Sequence, residues 1–268
     1  MIKYKLVAAD FDDTLALPDA TVSEETLKAV KEYENRGGKF IIATGRMPTA
    51  IMKKAQNYGF KGEIICFQGA YIYDIESEKE LFSATLDCSF AAEISHYLTE
   101  RGIYHHVYEG HNAVTQAATV PEAHEYYRLT GCGCTETHEP LEKYILAQNK
   151  RVPKVLIVTD PSNVLPYIAE LSGVFKGKVN VNTSKPWLVE IVDIGTSKAI
   201  AVDWVAARYG IKQEETACFG DSLNDLSMLQ YAGLGVVMEN GDPSIKKIIG
   251  NVCPPNTEDG VAQFIKRF

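Results

Sequence analysis

Uninterrupted apolar runs, each followed by polar residues, recur in the first and last parts of the chain. They lie within residues 6–9, 39–44, 63–68, 216–219 and 234–238. Strands that are buried on both faces, as in a parallel sheet, have this pattern, whereas half-exposed strands alternate apolar and polar residues. Between the first two runs, Ser23 is a predicted N-cap, and apolar residues at 27, 30 and 33 follow helical spacing up to Gly37.

A strand–helix–strand unit of this length implies a right-handed crossover and a parallel strand pair. Residues 70–74 and 81–87 predict a β-hairpin around the polar segment 75–80. We therefore predict the α/β class, with a doubly wound, mostly parallel Rossmann-like core.

The middle of the chain has a different pattern. Strand-like segments 104–109, 113–117, 154–159 and 178–182 are mixed with helical segments 90–102 and 121–129, and residues 131–140 have a loop-like composition. This mixture predicts a separate α+β domain inserted into the core. The predicted division is 1–86 and 187–268 for the core and 87–186 for the insert.

The composition is ordinary for a globular protein, with 268 residues, 46% hydrophobic residues and a net charge of −8. Negative charge argues against general affinity for nucleic acid or anionic lipid, so neither is an expected partner. No apolar run approaches the length of a membrane span, and the first residues lack a signal-peptide pattern. We expect a cytoplasmic protein, and the sequence leaves its oligomeric state open.

Two groups of potential metal ligands lie in the middle segment. Cys132 and Cys134 are the only close cysteine pair, and no second pair complements them, so we expect reduced thiols rather than a zinc site. His105, His106 and His111 lack a further ligand at suitable spacing, so surface or substrate contact is expected before metal binding.

Acidic and hydroxyl residues directly follow two of the predicted strands. Asp10, Asp12 and Asp13 follow the first apolar run, and Thr44 and Gly45 follow the second. Ligands of open α/β sheets bind beyond the carboxyl ends of strands. Taken alone, the three acids fit either a site for a hard divalent cation or an acidic turn that merely ends a strand.

Two other segments add charge at the same predicted edge of the sheet. Asp221 and Asp225 follow the run 216–219, and Lys198 opens a predicted helix over 199–209. A cation in the first helical turn is unfavourable unless an anion lies nearby. A nucleophilic acid, a hydroxyl, a cation and a second acid pair together are what phosphoryl transfer requires.

Four segments resemble, in order, the motifs of the haloacid-dehalogenase-like (HAD) phosphatases. They are Asp10-Phe11-Asp12-Asp13-Thr14-Leu15, Ala43-Thr44-Gly45-Arg46, Ser197-Lys198 and Gly220-Asp221-Ser222-Leu223-Asn224-Asp225. The insert between the second and third motifs is similar to the type IIB cap of the Cof-type sugar-phosphate phosphatases. The resemblance covers essentially the whole chain. It implies a cap domain that closes over the site and contacts the leaving group, with loops 110–112 and 131–138 as candidates for specificity.

The resemblance also implies catalytic and metal-binding roles. Asp10 would attack phosphorus and form an aspartyl-phosphate, while Asp12 would protonate the leaving alcohol and then activate water. Mg²⁺ would be held by Asp10, by the backbone carbonyl of Asp12 and by Asp221. Asp225 would instead order metal-bound water or Lys198.

Further residues would bind the phosphoryl group of a small phosphomonoester. The Thr44 hydroxyl and the Gly45 amide would hold its oxygens, Lys198 would neutralise its charge and orient Asp10, and Asn224 would contact it. Arg46 and Ser222 are weaker candidates.

The sequence departs from the family pattern at Asp13, where the family usually has glycine, and at Gln68 and Glu239. These departures make the identity of the substrate less certain to infer from the family, but they leave the expected phosphatase chemistry unchanged. The expected function is a Mg²⁺-dependent phosphatase acting on small phosphomonoesters, sugar phosphates above all. A phosphotransferase or phosphomutase on the same scaffold, a non-catalytic phospho-ligand sensor and a carboxylate metal store are the alternatives.

Overall fold

The structure is a computed structural model that describes residues 2–110 and 112–268. The chain divides into two compact units. The first contains the residues up to Arg46, Met52–Phe82 and Ser197–Phe268, and the second contains Met47–Ile51 and Ser83–Thr196.

The secondary structure alternates between strands and helices. The strands are β1 Leu6–Ala9, β2 Lys39–Ala43, β3 Glu63–Cys66, β4 Tyr71–Asp74, β5 Glu80–Ser83, β6 His105–Glu109, β7 Asn112–Thr115, β8 Gly133–Glu136, β9 Val155–Val158, β10 Val179–Asn182, β11 Leu188–Asp193, β12 Thr216–Gly220, β13 Leu234–Met238 and β14 Val252–Cys253. The helices are α1 Glu24–Asn35, α2 Pro48–Asn57, α3 Cys88–Thr99, α4 Pro121–Thr130, α5 Leu141–Gln148, α6 Pro161–Val174, α7 Lys198–Arg208, α8 Leu226–Tyr231, α9 Pro243–Ile249 and α10 Gly260–Ile265.

The sheet of the first unit has the order β14-β13-β12-β1-β2-β3-β4-β5. Neighbouring strands from β14 to β3 are parallel, and β4 pairs with β3 in the antiparallel direction. The predicted doubly wound, mostly parallel core is therefore confirmed. β1 lies between β12 and β2, where the strand order reverses, and crevices at such points are the usual ligand sites of open α/β sheets.

Helix α7 packs its apolar face on this sheet. Ala201, Val202 and Val205 are fully buried in one cluster with Leu6 and Ile41. The Ser197 side chain caps the helix by accepting a hydrogen bond from the Ile200 N–H at 3.1 Å. Packing and capping together fix the position of Lys198, the first residue of the helix.

The second unit contains a sheet of order β10-β11-β9-β6-β7-β8. Its strand pairs are antiparallel except for the parallel pair β7–β8. The predicted division, with the core resuming at residue 187, is wrong by about ten residues, because β11 pairs with β9 and β10 in this sheet. The compact units instead divide after Phe82 and after Thr196. A largely apolar segment such as 188–192 reveals a strand but not the sheet to which that strand belongs.

Two other expectations for the second unit need correction. Residues 131–140 contain strand β8, although its burial is low and its residues are mostly polar. β8 is an edge strand, and its pairing with β7 gives it order that its composition does not indicate. His105 and His106 are buried rather than exposed on the surface, and His111 lies outside the described residues.

All six cysteines are free, and Cys66 and Cys218 are fully buried in the core of the first unit. Within the part of the chain that the structure describes, no helix combines the length and apolar character needed to cross a bilayer.

Candidate active site

The site is built at the carboxyl ends of β1, β2 and β12. The parallel register places Ala9 opposite Phe219 on one side and Ile42 on the other. Asp10 leaves β1 with its N–H donating to the Phe219 carbonyl at 3.0 Å. The residues that follow these strands are therefore brought to one edge of the sheet, as their positions in the sequence predict.

Lys198 bridges two carboxylates. Its Nζ lies 2.5 Å from Oδ1 of Asp10 and 2.6 Å from Oδ1 of Asp225. The Lys198 and Asp225 side chains are fully buried, and that of Asp10 is 8% exposed. Burial opposes the positive charge of Lys198, but the two carboxylates outweigh it and raise the pKa of the ammonium group. The two carboxylates thus favour the charged form of Lys198, which is held against Asp10.

The positive charge near Asp10 and Asp221 is too small to offset the negative charge of the clustered carboxylates. Burial raises the pKa of Asp10 well above its usual range, and the carboxylates of Asp225, Asp221 and Asp12 act in the same direction against Lys198. Burial and the carboxylate of Asp225 raise the pKa of Asp221 to about 7, although Thr14 donates a hydrogen bond to its Oδ1 at 3.0 Å. The single positive charge of Lys198 does not neutralise the carboxylates of Asp10, Asp221 and Asp225.

The donor set suits a hard divalent cation. Among the described residues, Asp10, Asp221 and Asp225 form a group whose carboxylate oxygens all lie within 4.8 Å of one another. Oxygen donors of this kind match Mg²⁺, and its charge would offset the excess of carboxylates. The residues present therefore fit a magnesium ion.

Asp225 already has partners for both of its oxygens. Oδ1 accepts from Lys198, and Oδ2 accepts from the N–H groups of Asp221 and Ser222 at 2.9 and 3.1 Å. These contacts hold Asp221 and Lys198 in place, which supports the expected indirect role for Asp225. Gly220 accommodates this arrangement, because a Cβ there would lie 2.5 Å from the Asp225 Cβ.

Gln68 links two of the expected phosphate-binding residues, Thr44 and Asn224. Asn224 donates from Nδ2 to Gln68 Oε1 at 3.0 Å, and its Oδ1 accepts from the Ser222 hydroxyl at 2.6 Å. The backbone N–H of Gln68 donates to the Thr44 carbonyl at 3.1 Å. Gly45 lies directly beside it, and an added Cβ there would lie 2.4 Å from Gln68 Nε2, so the Gln68 side chain would have to move. In the sequence, Gln68 is visible only as a departure from the family pattern, because this linking role depends on contacts with residues distant in the chain.

Asp12 faces a different partner from Asp10. Its two carboxylate oxygens accept hydrogen bonds from Nη2 and Nε of Arg46 at 2.7 and 2.8 Å. Its side chain is not among the three carboxylates that fit a cation. The expectation that it binds metal through its backbone carbonyl stays a prediction.

The departure at Asp13 has a backbone explanation. Asp13 has φ +58° and ψ +5°, in the left-handed region where glycine is favoured and aspartate is tolerated. Asn240 donates from its side chain to the Asp13 carbonyl at 2.7 Å and stabilises this turn. Asp13 therefore keeps the conformation that glycine would give. Glu239 lies on the exposed surface, where its carbonyl accepts from Lys246 at 2.7 Å.

The histidines of the second unit have structural surroundings. His105 Nδ1 lies 2.9 Å from the Ile103 carbonyl, and its Nε2 lies 2.7 Å from the Ser95 hydroxyl. His106 is fully buried against Tyr104 and Tyr108. Neither histidine belongs to a potential metal cluster within the described residues, and neither do Cys132 and Cys134.

The chain matches a known family along almost its whole length. The family model for haloacid dehalogenase-like hydrolases covers residues 7–265. A curated relative, the 5-amino-6-(5-phospho-D-ribitylamino)uracil phosphatase YitU of Bacillus subtilis (strain 168), is 27% identical and aligned over 99% of this chain and 98% of its own.

Solved structures show the same fold. A haloacid dehalogenase-like hydrolase from Bacteroides thetaiotaomicron is 29% identical with a TM-score of 0.82, covering 98% of this chain and 99% of its own. The HAD subclass IIB sugar phosphatase BT4131 has a TM-score of 0.82 at 23% identity, with 98% of both chains covered, and at that identity it shows the fold alone. From the family match and the full-length relative, the chain belongs to the haloacid dehalogenase-like hydrolases and is a phosphatase, a phosphoric monoester hydrolase, of that family.

Proposed function

We propose that this enzyme is a Mg²⁺-dependent phosphatase that hydrolyses small phosphomonoesters, sugar phosphates foremost, through a phosphoryl group carried on Asp10. The observation that supports this most directly is the position of Lys198 against both Asp10 and Asp225. A site that only bound phosphate would not need a buried carboxylate aligned by a lysine as a nucleophile.

In the first half-reaction, Asp10 attacks phosphorus and the bond from phosphorus to the ester oxygen breaks. Asp12 donates a proton to the departing oxygen, so an alcohol leaves. Lys198 holds the attacking oxygen of Asp10 and offsets negative charge on the phosphoryl group. The Thr44 hydroxyl, the Gly45 amide and Asn224 contact the phosphoryl oxygens.

In the second half-reaction, water attacks the phosphorus atom of the aspartyl-phosphate. Asp12 takes a proton from that water, the bond from phosphorus to the Asp10 oxygen breaks, and inorganic phosphate leaves. Asp10 returns to its carboxylate form, and Asp12 keeps the proton that it donates to the next leaving group.

Mg²⁺, when bound, would neutralise phosphoryl charge as a Lewis acid, which resolves how an acidic protein binds an anion. Asp10, Asp221 and the backbone carbonyl of Asp12 would hold it, with Asp225 ordering its surroundings. The second unit would serve as the cap that selects the leaving group. Small phosphorylated metabolites are the proposed substrate class, in keeping with the compound that the name of YitU specifies.

The test is phosphate release from a panel of sugar phosphates, nucleotides and phosphorylated cofactors, with Mg²⁺ and with a chelator. Asp10→Asn should abolish release without unfolding the protein, because the change is nearly isosteric. Asp203→Asn is a matched control in the same unit, where Asp203 accepts a hydrogen bond from Tyr231 at 2.7 Å. Phosphoryl transfer to a second sugar in place of phosphate release would identify a phosphotransferase instead.

A further inference from the structure

We infer that Arg46 is a positioning residue that orients the Asp12 carboxylate towards the water that hydrolyses the aspartyl-phosphate. This inference rests on the proposed function and gives a specific role to Arg46, which the resemblance leaves only as a weaker candidate for phosphoryl binding. It concerns the second half-reaction, in which Asp12 must present an oxygen to a water molecule.

The contact between the two side chains is a two-point pair. Arg46 Nε lies 2.8 Å from Asp12 Oδ2, and Arg46 Nη2 lies 2.7 Å from Asp12 Oδ1. A guanidinium fork that engages both oxygens of a carboxylate fixes its plane as well as its position. A single ammonium group would attract the same charge but would leave that plane free to rotate.

Arg46 is itself held from three directions. Its backbone N–H donates to the Thr44 hydroxyl at 3.1 Å, and its carbonyl accepts from the Phe67 N–H at 3.0 Å. Its guanidinium carbon lies 5.3 Å from the centre of the buried Phe11 ring, within the range of a cation–π contact. A side chain that is anchored in this way can transmit a defined orientation to its partner.

The pair is open to water although the nucleophile beside it is not. The side chains of Arg46 and Asp12 are 26% and 35% exposed, whereas that of Asp10 is 8% exposed. Asp12 follows Asp10 by two residues within the turn that ends β1. Asp12 therefore lies where a carboxylate can meet both solvent and a phosphoryl group on Asp10.

The orientation of Asp12 has different effects on the two half-reactions for p-nitrophenyl phosphate. The nitrophenolate leaves without needing a proton, so formation of the aspartyl-phosphate should depend little on Asp12. Attack by water still requires removal of a proton by a correctly aimed carboxylate. Loss of Arg46 should therefore slow the second step alone and allow the phosphorylated enzyme to accumulate.

The experiment is rapid mixing of Arg46→Gln with p-nitrophenyl phosphate and Mg²⁺, with acid-quenched measurement of the phosphorylated enzyme. We expect a burst approaching one nitrophenolate per enzyme, then turnover slowed by about 10–100-fold, the scale of a misplaced catalytic group. Arg46→Lys should show the same burst, because it keeps the charge but lacks the fork. Arg208→Gln should behave like the wild type, since Arg208 pairs with Glu63 at the opposite end of α7 from Lys198.

A double-mutant comparison makes the assignment specific to Asp12. Asp12→Asn should give the same burst, and adding Arg46→Gln to it should slow turnover little further, because the two residues act as one unit. Full additivity would overturn the inference. So would wild-type behaviour of Arg46→Lys, or an Arg46→Gln enzyme that is slowed without a burst. If the wild type releases no phosphate from any substrate, the proposed function itself fails, and the inference fails with it.

Discussion

Lys198 Nζ lies 2.5 Å from Asp10 Oδ1 and is completely buried, although the two residues are 188 positions apart in the chain. The contact depends on α7 packing its apolar face on the sheet so that its first residue reaches the end of β1. The buried lysine is stable only because Asp10 and Asp225 share its charge, and each of the three groups depends on the other two.

Replacing Lys198 with methionine should therefore affect both stability and activity. The change leaves two buried carboxylates without their cation, which should cost about 3–5 kcal/mol in the free energy of unfolding and abolish phosphate release. Urea denaturation and a phosphate assay measure the two effects. Adding Asp225→Asn should recover part of the stability and none of the activity; a double variant no more stable than Lys198→Met would contradict this charge balance.

Asp221→Asn should lower the affinity of the enzyme for Mg²⁺ more than a change at a supporting residue does. Loss of a supporting contact typically lowers metal affinity by about 10–100-fold, so loss of a direct ligand should lie at or beyond the upper end of that range. A Mg²⁺ titration of phosphate release gives the comparison, with Ser222→Ala as the control for a neighbouring contact. A titration curve unchanged from the wild type would remove Asp221 from the metal site.

Gly69→Ala should destabilise the first unit more than Gly59→Ala. Both glycines have positive φ, +107° and +79°, so both substitutions introduce backbone strain. Only at Gly69 would the new Cβ meet another segment, 2.4 Å from the carbonyl oxygen of Ser197, which directly precedes Lys198. We expect an additional loss of about 1–3 kcal/mol from overpacking. Equal unfolding midpoints and slopes in urea for the two variants would show that the close approach carries no cost.

The second unit should lose stability as the pH falls below about 6.5, and His106 should contribute to that loss. Burial lowers the pKa of His106 well below its usual value, and the nearby charges of Lys154 and His105 act in the same direction. The unfolded chain therefore binds a proton below about pH 6.5 that the folded chain does not, which lowers the free energy of unfolding by up to about 1.4 kcal/mol per pH unit.

His106→Phe tests this contribution. The variant keeps an aromatic ring among Tyr104, Tyr108 and Tyr126 but cannot be protonated. Urea unfolding at pH 5, 6, 7 and 8 should show a shallower decline for the variant than for the wild type. Burial also lowers the pKa of His105, which is present in both proteins. If the free energy of unfolding declined equally with falling pH in the variant and the wild type, His106 would not contribute to the loss of stability.

The positions of the site residues were largely predictable because each one directly follows a recognisable element. Asp10, Thr44 and Asp221 come after apolar runs, and Lys198 comes at the start of an amphipathic helix. Parallel strands bring their carboxyl ends to one edge, so local pattern alone was enough to predict that these side chains meet. The core fold followed from the same runs.

Contacts between distant parts of the chain were decided only by the tertiary structure. Thr14 meets Asp221 across 207 positions, Asn224 meets Gln68 across 156, and Arg46 engages Asp12 across 34. The assignment of β11 to the sheet of the second unit was also invisible in the sequence. Hydrophobic pattern records that a segment is buried, but pairing partners and side-chain orientation depend on how separately formed elements pack together, which no local stretch of sequence encodes.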